Sequence, residues 1–340
     1  MSATILIKEG TYRNVKVVNE AFVLVEQFKQ GKKGGYVTVA NNGRFPGFPE
    51  QVKIKVAGVD SYEFAGGSMP TATVTPVIEQ TDGEIAEEIN HRFDMLHEMT
   101  KASIAGDIRA MIVVGPPGVG KSFGVEQELE RSTLFSQVAN KPLPYSVIKG
   151  ASSALGLYTN LFKYSEKGCV VVFDDCDTPL HDELCLNLLK GALDSGKSRR
   201  ISWNSDSHTL RREGIPDSFE FRGSVIIITN TKFDHIRSPK LRDHLDALQS
   251  RCHYLDLSMD TPRHKIIRIQ EVAKTGELFA AYDFTKEQEE MVLDFIYREQ
   301  DNLSEVSLRM GIKVADLLKS FPEKWEQYAK ELCFRRRTQR

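Results

Sequence analysis

The hydrophobic pattern changes character twice along the chain. From residue 1 to about 66 the apolar positions fall in short β-branched runs: TILIK (4–8), NVKVV (14–18), AFVLVEQF (21–28), GYVTVA (35–40) and QVKIKVAGV (51–59). Turn formers separate them: Gly31, Gly34-Gly35, and Asn41-Asn42-Gly43 through Pro49. Such runs predict the strands of a small β domain. Gly66 to Thr73 are small, breaker-rich residues and predict a linker.

From residue 82 the period becomes helical. Ile85, Ile89, Phe93 and Leu96 recur on one face, so 83–100 is an amphipathic helix. Strands then alternate with helices. The strands are 111–114, 145–149, 169–173, 224–229 and 253–257; helices are expected from Lys121 and over 155–164, 181–194 and 237–249. Continuous apolar strands separated by helices predict an α/β fold with a parallel sheet covered on both faces. After Ser258 the pattern is helical to the end, over 262–274, 285–300, 307–320 and 323–335. Thr261-Pro262 marks one start and Thr285 with Gln288 another. The expected organisation is a β-rich N-terminal domain (1–66), a linker (67–81), an α/β domain (82–258) and a helical C-terminal part (259–340).

Composition narrows the class. With 41% hydrophobic and 27% charged residues the chain is ordinary globular protein. A disordered chain, a collagen-like repeat and a disulfide mini-protein are excluded. Apolar runs such as Cys169–Phe173 and Val225–Ile228 fall far short of the roughly 18 residues a bilayer span needs. MSATILIKEG has no secretory pattern. No membrane partner is expected. Net charge is −2, so any contact with nucleic acid must come from a local patch. The five cysteines, 169, 176, 185, 252 and 333, form no CxxC pair and no metal spacing. They predict buried, reduced thiols in a cytoplasmic protein.

Two motifs carry chemistry. Gly115-Pro116-Pro117-Gly118-Val119-Gly120-Lys121-Ser122 fits the phosphate loop, GxxxxGK followed by Ser or Thr, between a strand and a helix. Its glycines let backbone amides turn toward phosphate oxygens. Lys121 adds charge there, and the Ser122 hydroxyl suits Mg²⁺. ATP and Mg²⁺ are therefore the expected cofactors. The second motif is the strand Val170–Phe173 ending in Asp174 and Asp175. In P-loop enzymes the first acid holds Mg²⁺ and the second orients or deprotonates the attacking water. Asp174 is the metal-side residue and Asp175 the base; Asp177 reads as an exposed turn acid.

This order of motifs resembles the AAA+ ATPases over about residues 82–320. Asn230, ending the strand SVIIITN, matches the family's sensor-1 position beside the γ-phosphate. Leu248-Gln249-Ser250-Arg251-Cys252 looks like the SRC motif of clamp-loader ATPases, whose arginine reaches the neighbouring subunit's nucleotide. Ser307-Leu308-Arg309 matches the sensor-2 arginine of the helical lid. The resemblance implies an ATPase with catalytic roles for Asp175, Asn230, Arg251 and Arg309, working as a homo-oligomeric ring, a hexamer in the usual case. A looser likeness is to AAA+ proteins of tailed bacteriophages. One departure is Asp175, where the family usually has Glu.

The polymer the ATPase acts on is less legible. Residues 197–212 carry Lys197, Arg199, Arg200, Arg211 and Arg212 against Asp206. Their alternation reads as a β-hairpin. Its position resembles the pre-sensor-1 hairpin that enters the pore of ring helicases. There the arginines would meet phosphates, while Trp203 stacks on a base or packs beneath. A solvated loop is the alternative. Lys149 and Tyr158 flank a second pore segment, with helix core the competing reading for Tyr158. Phe334 to Arg340 form a basic tail, and Lys29, Lys32 and Lys33 a loop tip. These features favour a ring motor on nucleic acid, of helicase or replication or recombination loader type. The alternatives are a protein-remodelling chaperone with the β domain as substrate adaptor, and a slowly hydrolysing switch.

Overall fold

The computed structural model describes residues 4–12, 15–31, 34–41, 44–45, 51–64, 80–138, 142–233, 236 and 238–335. The chain divides into two compact units, Met1–Glu79 and Gln80–Arg340.

The first unit is an antiparallel barrel of β1 (Thr4–Tyr12), β2 (Val15–Gly31), β3 (Gly34–Ala40), β4 (Gln51–Lys55) and β5 (Tyr62–Phe64), with a 3₁₀ turn at Val59–Ser61. The sheet order is β2-β3-β4-β1-β5, and β1 also pairs with β2, so four strands close on themselves. Alternation puts Ile5, Ile7, Val37, Val39, Val52 and Ile54 inside. The strands expected at 14–18 and 21–28 are one strand. Asn19 takes φ 51° between them, a conformation asparagine tolerates, and pairing to β1 continues on either side. The run 51–59 stops at Lys55, and three-residue β5 is too short to leave a period. Most of the expected linker lies outside the described residues, as do Lys32, Lys33 and residues 336–340.

The second unit is built on a parallel sheet of β6 (Ala110–Val114), β7 (Tyr145–Lys149), β8 (Val170–Asp174), β11 (Ser224–Thr229) and β12 (His253–Asp256), ordered β12-β6-β11-β8-β7. Between β8 and β11 lies the short antiparallel pair β9 (Arg200–Ser202) and β10 (Ser218–Glu220). Every residue of β6, β8 and β11 is buried, which explains the uninterrupted apolar runs. One face packs Met111, Val113, Val172 and Ile228 on α1 (Asp82–Ala105) and α2 (Lys121–Val138). The other packs Ile112, Val171 and Phe173 under α3 (Ala154–Lys163) and α5 (Glu183–Ala192), which follows the single turn α4 (Thr178–His181). One helix was expected over 181–194. Asp182 instead leaves helical geometry and caps α5 by accepting from the Cys185 amide at 2.8 Å.

α6 (His208–Arg212) sits between β9 and β10, and α7 (Pro239–Gln249) precedes β12. The bundle holds α8 (Pro262–Lys274), α9 (Lys286–Glu299), α10 (Leu308–Ser320) and α11 (Trp325–Cys333) around Phe279, Phe295 and Met310. Phe334 and Arg335 belong to this bundle: Phe334 bridges Leu303, and Arg335 Nε donates to the Leu303 carbonyl at 2.7 Å. Among the described residues no helix is long and apolar enough to cross a membrane.

The expected hairpin over 197–212 is not formed. β9 pairs with β10 after the α6 excursion, so residues 203–212 are not a return strand. Arg199 is 7% exposed, donates to the Ala192 carbonyl at 3.0 Å and lies against the Phe221 ring. Trp203 packs on Tyr158, and Tyr158 is wholly buried with its hydroxyl donating to the Pro216 carbonyl at 2.8 Å. These three side chains hold the insertion on the domain. Arg200 and Arg212 are exposed; Arg211 pairs with Asp206. The cysteines are free thiols, with Cys176, Cys185 and Cys333 buried and Cys169 and Cys252 half-buried. Burial pushes the Cys185 and Cys252 thiols up to about 12, so both stay protonated and inert at neutral pH.

Candidate nucleotide-binding site

Register places the site. Val114, Asp174 and Thr229 end adjacent parallel strands, so the segments that follow them emerge at one sheet edge. After β6 the loop turns sharply, with φ 74° at Gly118 and 102° at Gly120. A Cβ on Gly118 would lie 2.8 Å from the Ser307 side chain, so only glycine admits the close approach of the α10 start. The Leu308 amide donates to the Gly118 carbonyl at 2.9 Å, fastening the helical bundle to the loop. Arg309, the next residue, is exposed and lines a cavity together with Gly118, Gly120 and Lys121 of the loop.

Lys121 is buried. Its ammonium donates to the carbonyls of Gly115 (2.7 Å) and Pro116 (3.0 Å) and to Asn230 Oδ1 (2.7 Å). Burial holds its pKa below the usual lysine value, while Asp175 and Asp174 act in the opposite sense. Asn230 also donates from Nδ2 to Asp175 Oδ1 at 2.8 Å, so one amide joins the loop lysine to the second acid. Asp175 has φ 48°, which turns its carboxyl away from the buried path of β8. Burial and the neighbouring Asp174 raise its pKa, and Lys121 opposes them.

Ser122 Oγ donates to Asp174 Oδ1 at 2.6 Å. A hydroxyl beside a carboxylate is a hard oxygen pair, which fits Mg²⁺ that keeps waters and takes phosphate oxygens for its remaining ligands. Ser122 and Asp174 would hold the ion, and it would neutralise charge on the phosphates. Lys149 ends β7 here, 3.5 Å from Asp174 Oδ2 and 2.6 Å from Glu126, which raises its pKa. Lys149 thus supports the metal-side acid.

Deeper in, the cavity of about 290 Å³ is walled by Phe93, His97, Arg268, Val272 and Leu278. The Arg268 guanidinium lies 3.4 Å from the Phe93 ring centroid, and burial brings its pKa down to about 10. His97 is tied through Nδ1 to buried Glu128 at 3.0 Å. Sequence patterns missed Arg268, His97 and Glu128, whose helices meet only in the fold. They also missed the role of Asp177. It is half-buried and accepts from Thr229 Oγ1 at 2.8 Å, bracing the acidic strand end against the strand that carries Asn230.

The structure therefore brings together Lys121, Ser122, Asp174, Asp175, Asn230 and Arg309. Arg251 does not line this cavity. It precedes edge strand β12, donates to the Ala247 carbonyl at 2.6 Å and is half-buried.

Strand order, phosphate loop and acidic strand end together define the class, a P-loop α/β fold that carries the motif order resembling the AAA+ ATPases. The chain belongs to the same family as an uncharacterized 36.7 kDa protein of the nrdC-mobD intergenic region of Enterobacteria phage T4. The two are 32% identical over 254 residues, which covers 74% of this chain and 76% of the phage protein. No family model matches. Similar solved structures include NtrX of Brucella abortus in complex with ATP, 12% identical with a TM-score of 0.43. That alignment covers 71% of this chain and 52% of NtrX, so the chain spans about half of NtrX's length. The ADP form of Aeropyrum pernix ORC2 is 12% identical with a TM-score of 0.38, over 74% of this chain and 68% of that one. Drosophila ORC bound to DNA is 14% identical with a TM-score of 0.40, over 77% and 69%.

Proposed function

We propose that the protein is an Mg²⁺-dependent ATPase that assembles into a ring, hexameric in the simplest form, and does its work on nucleic acid. The observation that carries the ATPase reading is the chain of contacts Lys121–Asn230–Asp175 beside the Ser122–Asp174 pair. In this reading Lys121 is the phosphate cation, Ser122 and Asp174 the metal seat, Asn230 the water-orienting amide and Asp175 the proton acceptor, all at one sheet edge. Bound ATP displaces the Lys121 ammonium from the loop carbonyls and takes up its charge. Asp175 accepts a proton from the attacking water, Asn230 orients that water, and Arg309 steadies the γ-phosphate from the lid. Arg251 serves the neighbouring subunit's site. Support for nucleic acid comes from the clamp-loader-like segment ending in Arg251-Cys252 and from exposed Arg200 and Arg212.

ATP turnover measured alone and with single-stranded DNA, duplex DNA or RNA tests the reading. Stimulation by one polymer is expected. Turnover indifferent to all of them moves the protein to the remodelling class. Replacing Lys121 with alanine removes a charge-assisted contact to phosphate, so ATP affinity should fall roughly 10- to 150-fold. Wild-type affinity in a fluorescent-nucleotide titration would remove the phosphate-loop assignment.

A further inference from the structure

The barrel of the first unit carries an outward row of side chains that the ATPase chemistry does not use. Directly paired residues on neighbouring antiparallel strands share a face. Lys16 pairs with Thr11, Thr11 with Lys55, Lys55 with Tyr36, and Tyr36 with Lys29. The row therefore runs from β2 across β1, β4 and β3 and back to β2. Lys53, two residues from Lys55 on the same face, sets its ammonium 5.0 Å from the Tyr36 ring centroid. With strands about 4.8 Å apart, Lys16 and Tyr36 are separated by roughly 14 Å along the row.

Charge balance singles this face out. Elsewhere among the described residues of the unit the cations are matched: Lys8 pairs with Glu63, and Arg44 with Glu20 at 2.7 Å. Within the row Lys29 is matched by Glu26 at 3.0 Å, and Lys29 holds that carboxyl below its usual range. Lys16, Lys53 and Lys55 are exposed and have no ion-pair partner among the described residues. Residues 1–66 hold nine basic and six acidic residues, whereas the whole chain is at −2. Like charges gathered on one face cost stability, which Glu26, close enough to Lys29 and Lys53 to feel both charges, recovers only in part. A polyanion laid along the row recovers it. The half-exposed Tyr36 ring among the lysines adds a stacking platform, which unpaired bases use and a paired duplex does not offer.

We propose that this face of the barrel binds single-stranded nucleic acid, with Lys16, Lys53 and Lys55 on phosphates and Tyr36 stacked on a base. The inference rests on the nucleic-acid reading above and gives it a location. The test is fluorescence anisotropy of labelled oligo-dT, oligo-U and a DNA duplex with the full-length protein between 50 and 200 mM salt. Lys16→Ala, Lys53→Ala and Lys55→Ala combined should flatten the slope of log affinity against log salt by about two, at ~0.7 per lost contact. Tyr36→Ala should weaken single-strand binding roughly 5- to 150-fold with little effect on the duplex. Tyr36→Phe, which keeps the ring, should stay within about twofold of wild type. ATP binding should be unchanged in every variant, and far-ultraviolet circular dichroism with thermal melting checks that the barrel of each is folded. Barrel variants that keep wild-type affinity and slope end this inference and leave the nucleic-acid reading standing, with binding in the second unit. Equal duplex and single-strand affinity, unmoved by Tyr36→Ala, also overturns it. Wild type without salt-dependent binding to any polymer ends the nucleic-acid reading itself, and the barrel site with it.

Discussion

Arg251→Ala is expected to bind ATP with wild-type affinity and to hydrolyse it ~10³–10⁵ times more slowly. The effect is large because a guanidinium placed on the γ-phosphate neutralises charge that appears only in the transition state. Arg251 does not line the cavity of its own chain, and it stands beside edge strand β12, where the proposed ring would bring a neighbouring subunit. Its half-exposed side chain donates from Nη1 to the Ala247 carbonyl and pairs through Nε with Asp194 at 3.9 Å, which leaves the Nη2 donors for a partner. The decisive measurement is complementation. Lys121→Ala protein brings an intact arginine and a damaged loop; Arg251→Ala protein brings the reverse. A mixed ring contains interfaces where both partners are intact, so mixing should restore turnover that neither protein has alone. Failure to recover turnover, with co-assembly shown by light scattering, would confine Arg251 to a structural role. Full wild-type activity in a monomer would end the ring proposal as well.

The sequence spelled out those parts of the site that are contiguous. Gly115 to Ser122 and Val170 to Asp175 are each a few residues long, and each follows a buried strand whose apolar run is unmistakable. Contacts between distant segments were not legible. Nothing near Lys149 indicates that it faces Asp174, because only the β7–β8 register brings Lys149 opposite that residue. Likewise the Arg268–Phe93 stack needs α8 to fold onto α1. The hairpin reading failed for a related reason. The alternation at Arg199 to Trp203 does mark a strand, but its partner comes after a helix; Arg199 is interior and Trp203 half-buried against the core. A buried arginine such as Arg199 leaves no mark in a sequence, because a backbone carbonyl, here that of Ala192, satisfies it. In the barrel, period-two alternation identified the strands but not the row across them, since register between strands is a property of the closed sheet.

Asp175→Asn is expected to keep ATP affinity within about twofold and to lower turnover ~10²–10⁴-fold. The substitution suits the site because it changes protonation chemistry and little else. Asparagine tolerates the left-handed backbone that Asp175 adopts at φ 48°, so the turn after β8 survives. Its amide oxygen still accepts from Asn230 Nδ2, preserving the link to Lys121. What is lost is a carboxylate able to take a proton from water. The same backbone bears on the departure from the family's usual Glu. Aspartate is among the non-glycine residues that enter this region most readily, whereas glutamate there carries a steric cost. Asp175→Glu, though one methylene longer, is therefore expected to hydrolyse ATP no faster than wild type. Single-turnover measurements with bound ATP separate these outcomes from changes in product release. Unchanged single-turnover rate in Asp175→Asn would assign the proton acceptor to another group. A faster rate in Asp175→Glu would show that reach, and not backbone geometry, limits the wild-type base.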